Sequence, residues 1–281
     1  TNSSASSSNT WCDLNVLAGL PAHRVAVRSM TYHTTVGYIN RYINPHIGGV
    51  LLSNVTREQI QQLYSALLTS GGRGGAPRSP GTVRKVHQIL RQALGDAVRW
   101  ELILRNVAEL VEPPALEHKT VRVLQPAEID ALLFELDKSS PWAVAPATLT
   151  FHTGLRRSEI LGLAWSDVDS GRGAISVRQG YHRLDDGTSE TLAPKSQRSR
   201  RLVPLTSSSL EMLHEHRTSS QRDAGLLGRV LQPDDFVFAG FDREPYRPDS
   251  LSAAFRRAAI RAGLPGVHFH VARHTHASLL L

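Results

Sequence analysis

The stretch HTGLRRSEILGL, His152 to Leu163, is the part of this sequence that decides how the rest is read. Gly154 interrupts two helix-like runs, so Arg156 stands just past a glycine turn at the start of a new helix, running to about Leu163. Backbone N–H groups and the helix dipole favour an anion at such a place. Glu159 follows one turn later, spaced to orient the arginine. An exposed Arg–Glu pair three residues apart has the same spacing and contributes little on its own. The motif therefore takes its meaning from what accompanies it.

Two more basic spots accompany it. In APKSQRSRRLVPL, Ala193 to Leu205, two strand-like runs flank a polar turn, which predicts a hairpin with Lys195 in its turn and Arg198, Arg200 and Arg201 close behind. Hairpin tips are also basic simply because they are solvated. In HVARH, His270, Arg273 and His274 share one helix face, so imidazole and guanidinium groups can converge on one phosphate. The longer run HFHVARHTH has a second reading. His270 and His274 have the i,i+4 spacing of metal ligands. Against it, Arg273 would repel a cation and no carboxylate stands nearby. A third reading is a histidine cluster with a structural role.

The remainder of the chain gives these spots a setting. Its 281 residues carry 32 Lys+Arg against 25 Asp+Glu, a net charge of +7, which favours an anionic partner such as nucleic acid. The single Cys12 excludes an internal disulfide framework and points to a reducing compartment. No apolar run is long enough for a membrane span and no signal peptide is visible, so a cytoplasmic protein is expected. The start, TNSSASSSN, is polar and of low complexity. The first half reads as helices around residues 31–42, 56–68 and 82–104, with a flexible basic loop at 70–81. On the third helix Val83, Val86, Leu90, Leu94, Ala97 and Val98 fall at core spacing. Arg84, Lys85, Gln88, Arg91 and Gln92 fall largely off that stripe and offer a phosphate-contacting face, or an ordinary solvated one. Pro113 and Pro114 then stop helix formation and open a linker. The second half mixes helices at 126–136, 143–152 and 250–262 with short strands. The expected class is α+β: a helical N-terminal domain, then a mainly α domain with a small antiparallel sheet.

TGLRRSE, PKSQRSRRLVPL and HVARH, in this order, resemble the tyrosine recombinase family of the phage-integrase type. YINRYINPHIGGVLLSNVT and SPGTVRKVHQILRQALGDAV are similar to its helical core-binding domain. The resemblance implies a polar segment at 1–20, a SAM-like core-binding domain at 21–112, a linker at 113–125 and a catalytic domain at 126–281. It implies catalytic roles for Arg156, Lys195, His270 and Arg273, supported by Glu159 and His274. DNA contacts would come from Arg84, Lys85, Gln88, Arg91, Arg198, Arg200 and Arg201. It further implies a 3′-phosphotyrosyl intermediate with no cofactor and no metal. The implied partners are duplex attachment sites, a homotetramer on synapsed DNA and an accessory DNA-bending or directionality factor. Val271 and Ala272 depart from the family's usual acidic and leucine pair. The family's nucleophile is a tyrosine downstream of the H-x-x-R box, whereas Tyr32, Tyr38, Tyr42, Tyr64, Tyr181 and Tyr246 all precede Arg273. The expectation is a fragment that binds DNA without cutting it. A non-catalytic binder of recombination sites and a metal-dependent nuclease are the competing functions.

Overall fold

The computed structural model describes residues 29–116, 122–184, 187–193 and 201–279. The chain divides into two compact units, Thr1–His118 and Lys119–Leu281. The expected polar segment at 1–20 lies outside the described residues, as do Lys195, Arg198 and Arg200.

The first unit is helical. Helix α1 (Ser29–Tyr38) runs on through a π-turn at Ile39–Ile43 and a short helical turn at Asn44–Ile47. Helix α2 (Arg57–Ser70) starts at Thr56, whose hydroxyl accepts from the Gln59 N–H while Gln59 reaches back to the Thr56 N–H, a reciprocal cap. Helix α3 (Pro80–Arg99) starts two residues earlier than its apolar periodicity suggests, because Ser79 caps it and Pro80 occupies its first position. Ile43, Ile60, Leu63, Tyr64, Leu67, Val83, Val86, Leu90 and Leu94 form the core of this unit.

Two expectations change here. The loop at 70–81 is held, since Gly72 N–H donates to Ala76 C=O, Arg78 Nε donates to Gly71 C=O, and the Arg78 guanidinium lies over the Tyr42 ring. Helix α3 does not reach residue 104. It closes after Arg99, where Leu102 N–H bonds back to Ala97 C=O and Glu101 N–H to Val98 C=O. Glu101 takes the left-handed conformation at φ 59°. This is a Schellman closure with glutamate where glycine is usual, so the sequence carries no stop signal.

The second unit surrounds a larger core. Helices α4 (Pro126–Ser139), α5 (Val144–Thr153) and α6 (Arg157–Leu161) lead into strands β1 (Val168–Asp169), β2 (Ala174–Val177), β3 (Gly180–Arg183), β4 (Ser189–Leu192) and β5 (Arg201–Pro204). Helices α7 (Ser207–Leu226), α8 (Pro248–Arg261) and α9 (Phe269–Leu279) follow. The strands form two antiparallel sheets, β1-β2-β5 and β3-β4. Among the described residues, β4 and β5, the strands on either side of Lys195, do not pair with each other. β4 pairs with β3 in the register Tyr181↔Thr191, and β5 pairs with β2 in the register Ile175↔Val203. The expected hairpin turn with Lys195 lies outside the described residues, and the described strands before and after it belong to different sheets. Helix α7 was not expected at all: its sequence buries only Ser209, Leu213 and Ala224, too sparse a stripe to show as periodicity. Helix α9 lies against α5, and the buried Thr275 hydroxyl accepts from Leu124 N–H at 3.1 Å.

Candidate active site

The site begins at a turn. Helix α5 ends at Gly154, in the left-handed conformation at φ 62°, and α6 begins three residues later. A side chain at residue 154 would be doubly unfavourable, because the conformation suits glycine and an added Cβ would stand 2.5 Å from His276 Cδ2. Arg156 takes extended backbone angles and caps α6, with its N–H donating to Glu159 Oε2 at 2.9 Å. Helix α6 is shorter than the sequence suggests, ending at Leu161. Gly162 turns the chain where β3 passes, and a Cβ there would meet Tyr181 N at 2.8 Å.

Glu159 organises the charges. Only 8 % exposed, it accepts from Arg156 Nη1 at 2.8 Å and from Arg201 Nη1 and Nη2 at 3.1 and 2.9 Å. Burial pushes its carboxyl up, but the hydrogen bonds from Arg201 and from the Arg156 backbone outweigh this. The net result lies below the ordinary carboxylate value. Arg201 was expected as an outward DNA contact. The structure instead draws it into this ion pair, and the sequence offered no cue beyond its place in a basic strand.

Helix α9 supplies the other side. Arg273 Nη1 donates to the Gly154 carbonyl, and His276 Nδ1 lies 2.9 Å from the Phe151 carbonyl. Two side chains one turn apart thus fasten α9 to the turn that carries Arg156. Burial lowers the pKa of Arg273, the positive fields of Arg156 and Arg201 lower it further, and Glu159 acts in the opposite sense. Three guanidinium groups accordingly feel one another across a single carboxylate, an excess of two positive charges. The Arg156 side chain remains 52 % exposed, so this excess is open to an incoming anion.

His270 and His274 sit beside these arginines with ring centroids 4.6 Å apart, edge to face. The pKa of His270 is lowered, by burial first and then by His274, Arg273, His268 and Arg156. The surrounding positive charge thus favours the neutral ring, the form that can accept a proton. Among the described residues no three His, Cys, Asp or Glu side chains stand close enough to hold a metal ion. The arginine field beside His270 would oppose one.

Neighbouring groups hold the turn from behind. Arg157 Nη1 donates to Pro248 C=O at 3.1 Å and to Ser252 Oγ at 2.6 Å, tying α6 to the start of α8. His152 Nδ1 lies 2.8 Å from Ser209 Oγ, which is itself within 2.9 Å of Thr206 Oγ1. No role for His152 was legible in the sequence, and His276 stood there only as one of a cluster of anion-binding side chains with His270, Arg273 and His274.

In the first unit, the expected DNA face of α3 is partly engaged. Arg84 Nη1 donates to Pro114 C=O at 3.2 Å, and Arg91 pairs with Glu109 at 3.5 Å with both side chains largely exposed. Lys85 and Gln88 are exposed.

Comparison with known proteins agrees with this geometry. Residues 122–281 match the phage integrase family, and residues 20–68 match its N-terminal SAM-like domain. A tyrosine recombinase XerC-like protein of Caldanaerobacter subterraneus is 28 % identical over 279 residues, covering 92 % of this chain and 68 % of that protein. The ICEBs1 integrase of Bacillus subtilis is 26 % identical over 254 residues, covering 89 % and 66 %. The chain thus spans about two-thirds of the length of these relatives. Among solved structures, the Tn1549 transposon integrase bound to a circular intermediate DNA superimposes with a TM-score of 0.79. It shares 19 % identity and covers 97 % of this chain and 87 % of that one. A lambda integrase dimer on a COC′ core site gives 0.70 and 17 %, covering 96 % and 69 %. With the family match covering more than half of the chain, and Arg156, Glu159, Arg201 and Arg273 brought together beside one turn, this chain belongs to the phage integrase family of tyrosine recombinases.

Proposed function

We propose that this chain is the core-binding and catalytic part of a site-specific DNA recombinase, and that its guanidinium cluster holds the scissile phosphate. The observation that carries this reading is the excess positive charge of Arg156, Arg201 and Arg273 around the single Glu159. In the reaction, a tyrosine oxygen attacks a DNA phosphorus to form a 3′-phosphotyrosyl bond, and the bond to the 5′-oxygen breaks. The attacking hydroxyl loses its proton on one side, and the leaving oxygen gains one on the other. Charge builds on the non-bridging oxygens meanwhile, and Arg156 with Arg273 neutralises it through donors fixed in direction. Neutral His270 takes up the proton on the nucleophile side. Lys195, outside the described residues, protonates the 5′-oxygen. Arg201 acts by holding Glu159, which in turn orients Arg156.

All six tyrosines of this sequence precede Arg273, and none stands where the family carries its nucleophile. Tyr42, Tyr64 and Tyr181 are buried, and Tyr246 packs edge to face on Trp142 with its hydroxyl pKa raised, chiefly by burial. The chain on its own therefore binds DNA without forming a covalent complex. A half-site suicide substrate followed by denaturing electrophoresis tests this, and a covalent band from this chain alone overturns it. For the phosphate site, Arg156→Ala or Arg273→Ala in a chain that carries the nucleophile lowers cleavage by roughly 10²-fold or more while site binding persists. Undiminished cleavage in either variant removes the assignment.

A further inference from the structure

A buried tyrosine in the first unit holds a histidine on the basic face of α3. Tyr64, on α2, is 1 % exposed, and its hydroxyl lies 2.8 Å from His87 Nδ1 on α3. Among the described residues this imidazole is that hydroxyl's one hydrogen-bond partner. A buried O–H left without an acceptor carries the full penalty of its desolvation, so the phenol donates and Nδ1 accepts. In the neutral ring the proton then sits on Nε2. Burial, followed by the fields of Arg91 and Arg84, keeps the His87 pKa low. Protonating Nδ1 would also force the phenol to become an acceptor and strand its own proton. His87 is half-buried, three residues after Arg84 and four before Arg91, on the margin between the core stripe of α3 and its basic side.

We infer that His87 is a sequence-reading residue: a neutral N–H donor, held in direction by Tyr64, that meets a base-edge acceptor while neighbouring cations hold phosphates. The inference rests on the reading of α3 as a DNA-facing helix. Its logic is a division of labour. Cations next to phosphates supply affinity through counterion release and carry no sequence information. A charge-free donor adds nothing to that release. Fixed in tautomer and ring orientation, it can distinguish acceptors such as guanine N7 and O6 from the donor edges of other bases.

The test is selection from a randomised duplex pool with this chain, comparing wild type, His87→Ala, His87→Gln, Tyr64→Phe and Arg91→Ala, each confirmed as folded by thermal melting. Wild type enriches a motif. His87→Ala flattens one position of that motif and lowers affinity for the wild-type sequence by roughly fivefold or more, with the salt dependence unchanged. His87→Gln, whose amide nitrogen can stand where Nε2 stood, recovers part of the preference and decides the matter if the alanine variant does not fold. Tyr64→Phe weakens the same position by freeing the ring. Arg91→Ala reduces the salt slope by about one and leaves the motif intact. An unchanged motif in His87→Ala, or a loss equal for all sequences, overturns the inference. Failure of wild type to enrich any motif, or of Arg91→Ala to alter the slope, overturns the DNA-facing reading of α3 and this inference with it.

Discussion

At the scale of single residues, Glu159 carries more than its size suggests. One nearly buried carboxylate accepts three hydrogen bonds from two arginine side chains and a fourth from the Arg156 backbone. Replacing Glu159 with Gln keeps the shape but leaves guanidinium groups facing one another uncompensated. We expect a loss of about 1–3 kcal/mol, read from the urea midpoint at pH 7, because the partly buried Arg201 loses its charged acceptor. Arg201→Lys should be more harmful than a conservative exchange suggests, since lysine cannot reproduce the two parallel bonds to the carboxylate. Its expected signature in an active chain is a fall in cleavage with little change in DNA affinity, because Arg201 acts through Glu159 and Arg156. Equal loss of both would mean that Arg201 contacts DNA directly.

At the scale of elements, the site is a junction between the α5–α6 turn and helix α9. Gly154 is its narrowest point, with its carbonyl held by Arg273 and its Cα facing the His276 ring. Gly154→Ala combines left-handed strain of roughly 1–2 kcal/mol with a clash against that ring. The expected result is a lowered melting temperature of the second unit. His276→Ala in the same background should return part of the stability by making room, and a simple sum of the two losses would show that the ring is not the obstacle. The junction also explains why α6 can be short: Glu159 caps it at one end, Arg157 ties it to α8, and Gly162 ends it where β3 passes.

At the scale of the whole molecule, the histidines set a pH dependence. His87, His152, His216 and His270 all have pKa values lowered, with burial the largest cause in each. A group whose folded pKa lies below its unfolded one binds its proton more readily when unfolded, so stability is full above about 6.5 and declines as pH falls below it. Glu159, also lowered, adds a further loss in the more acidic range where an ordinary carboxylate takes up its proton. Thermal midpoints should therefore drop between pH 7 and pH 5, and His216→Gln should reduce that drop. A flat profile would contradict the lowered imidazole pKa values. DNA affinity, driven by the net charge of +7, should fall by orders of magnitude as salt rises from roughly 50 to 200 mM.

The sequence by itself determined the family, the α+β class and the identity of Arg156, Glu159, His270 and Arg273 as a related set, because glycine turns, helix spacing and short motifs are local. It also determined most of the α3 core stripe, since Val83, Val86, Leu90, Leu94 and Ala97 are all buried. What only the tertiary structure decided depends on contacts distant along the chain. Strand pairing is one case: β5 joins β2 instead of β4, a choice that local alternation leaves open. The end of α3 is another, because Glu101 takes a conformation usually given to glycine. Arg201 is the third. Its charge suits solvent, DNA or a carboxylate equally, and it turned to Glu159, 42 residues earlier, because the fold buried that carboxylate beside it.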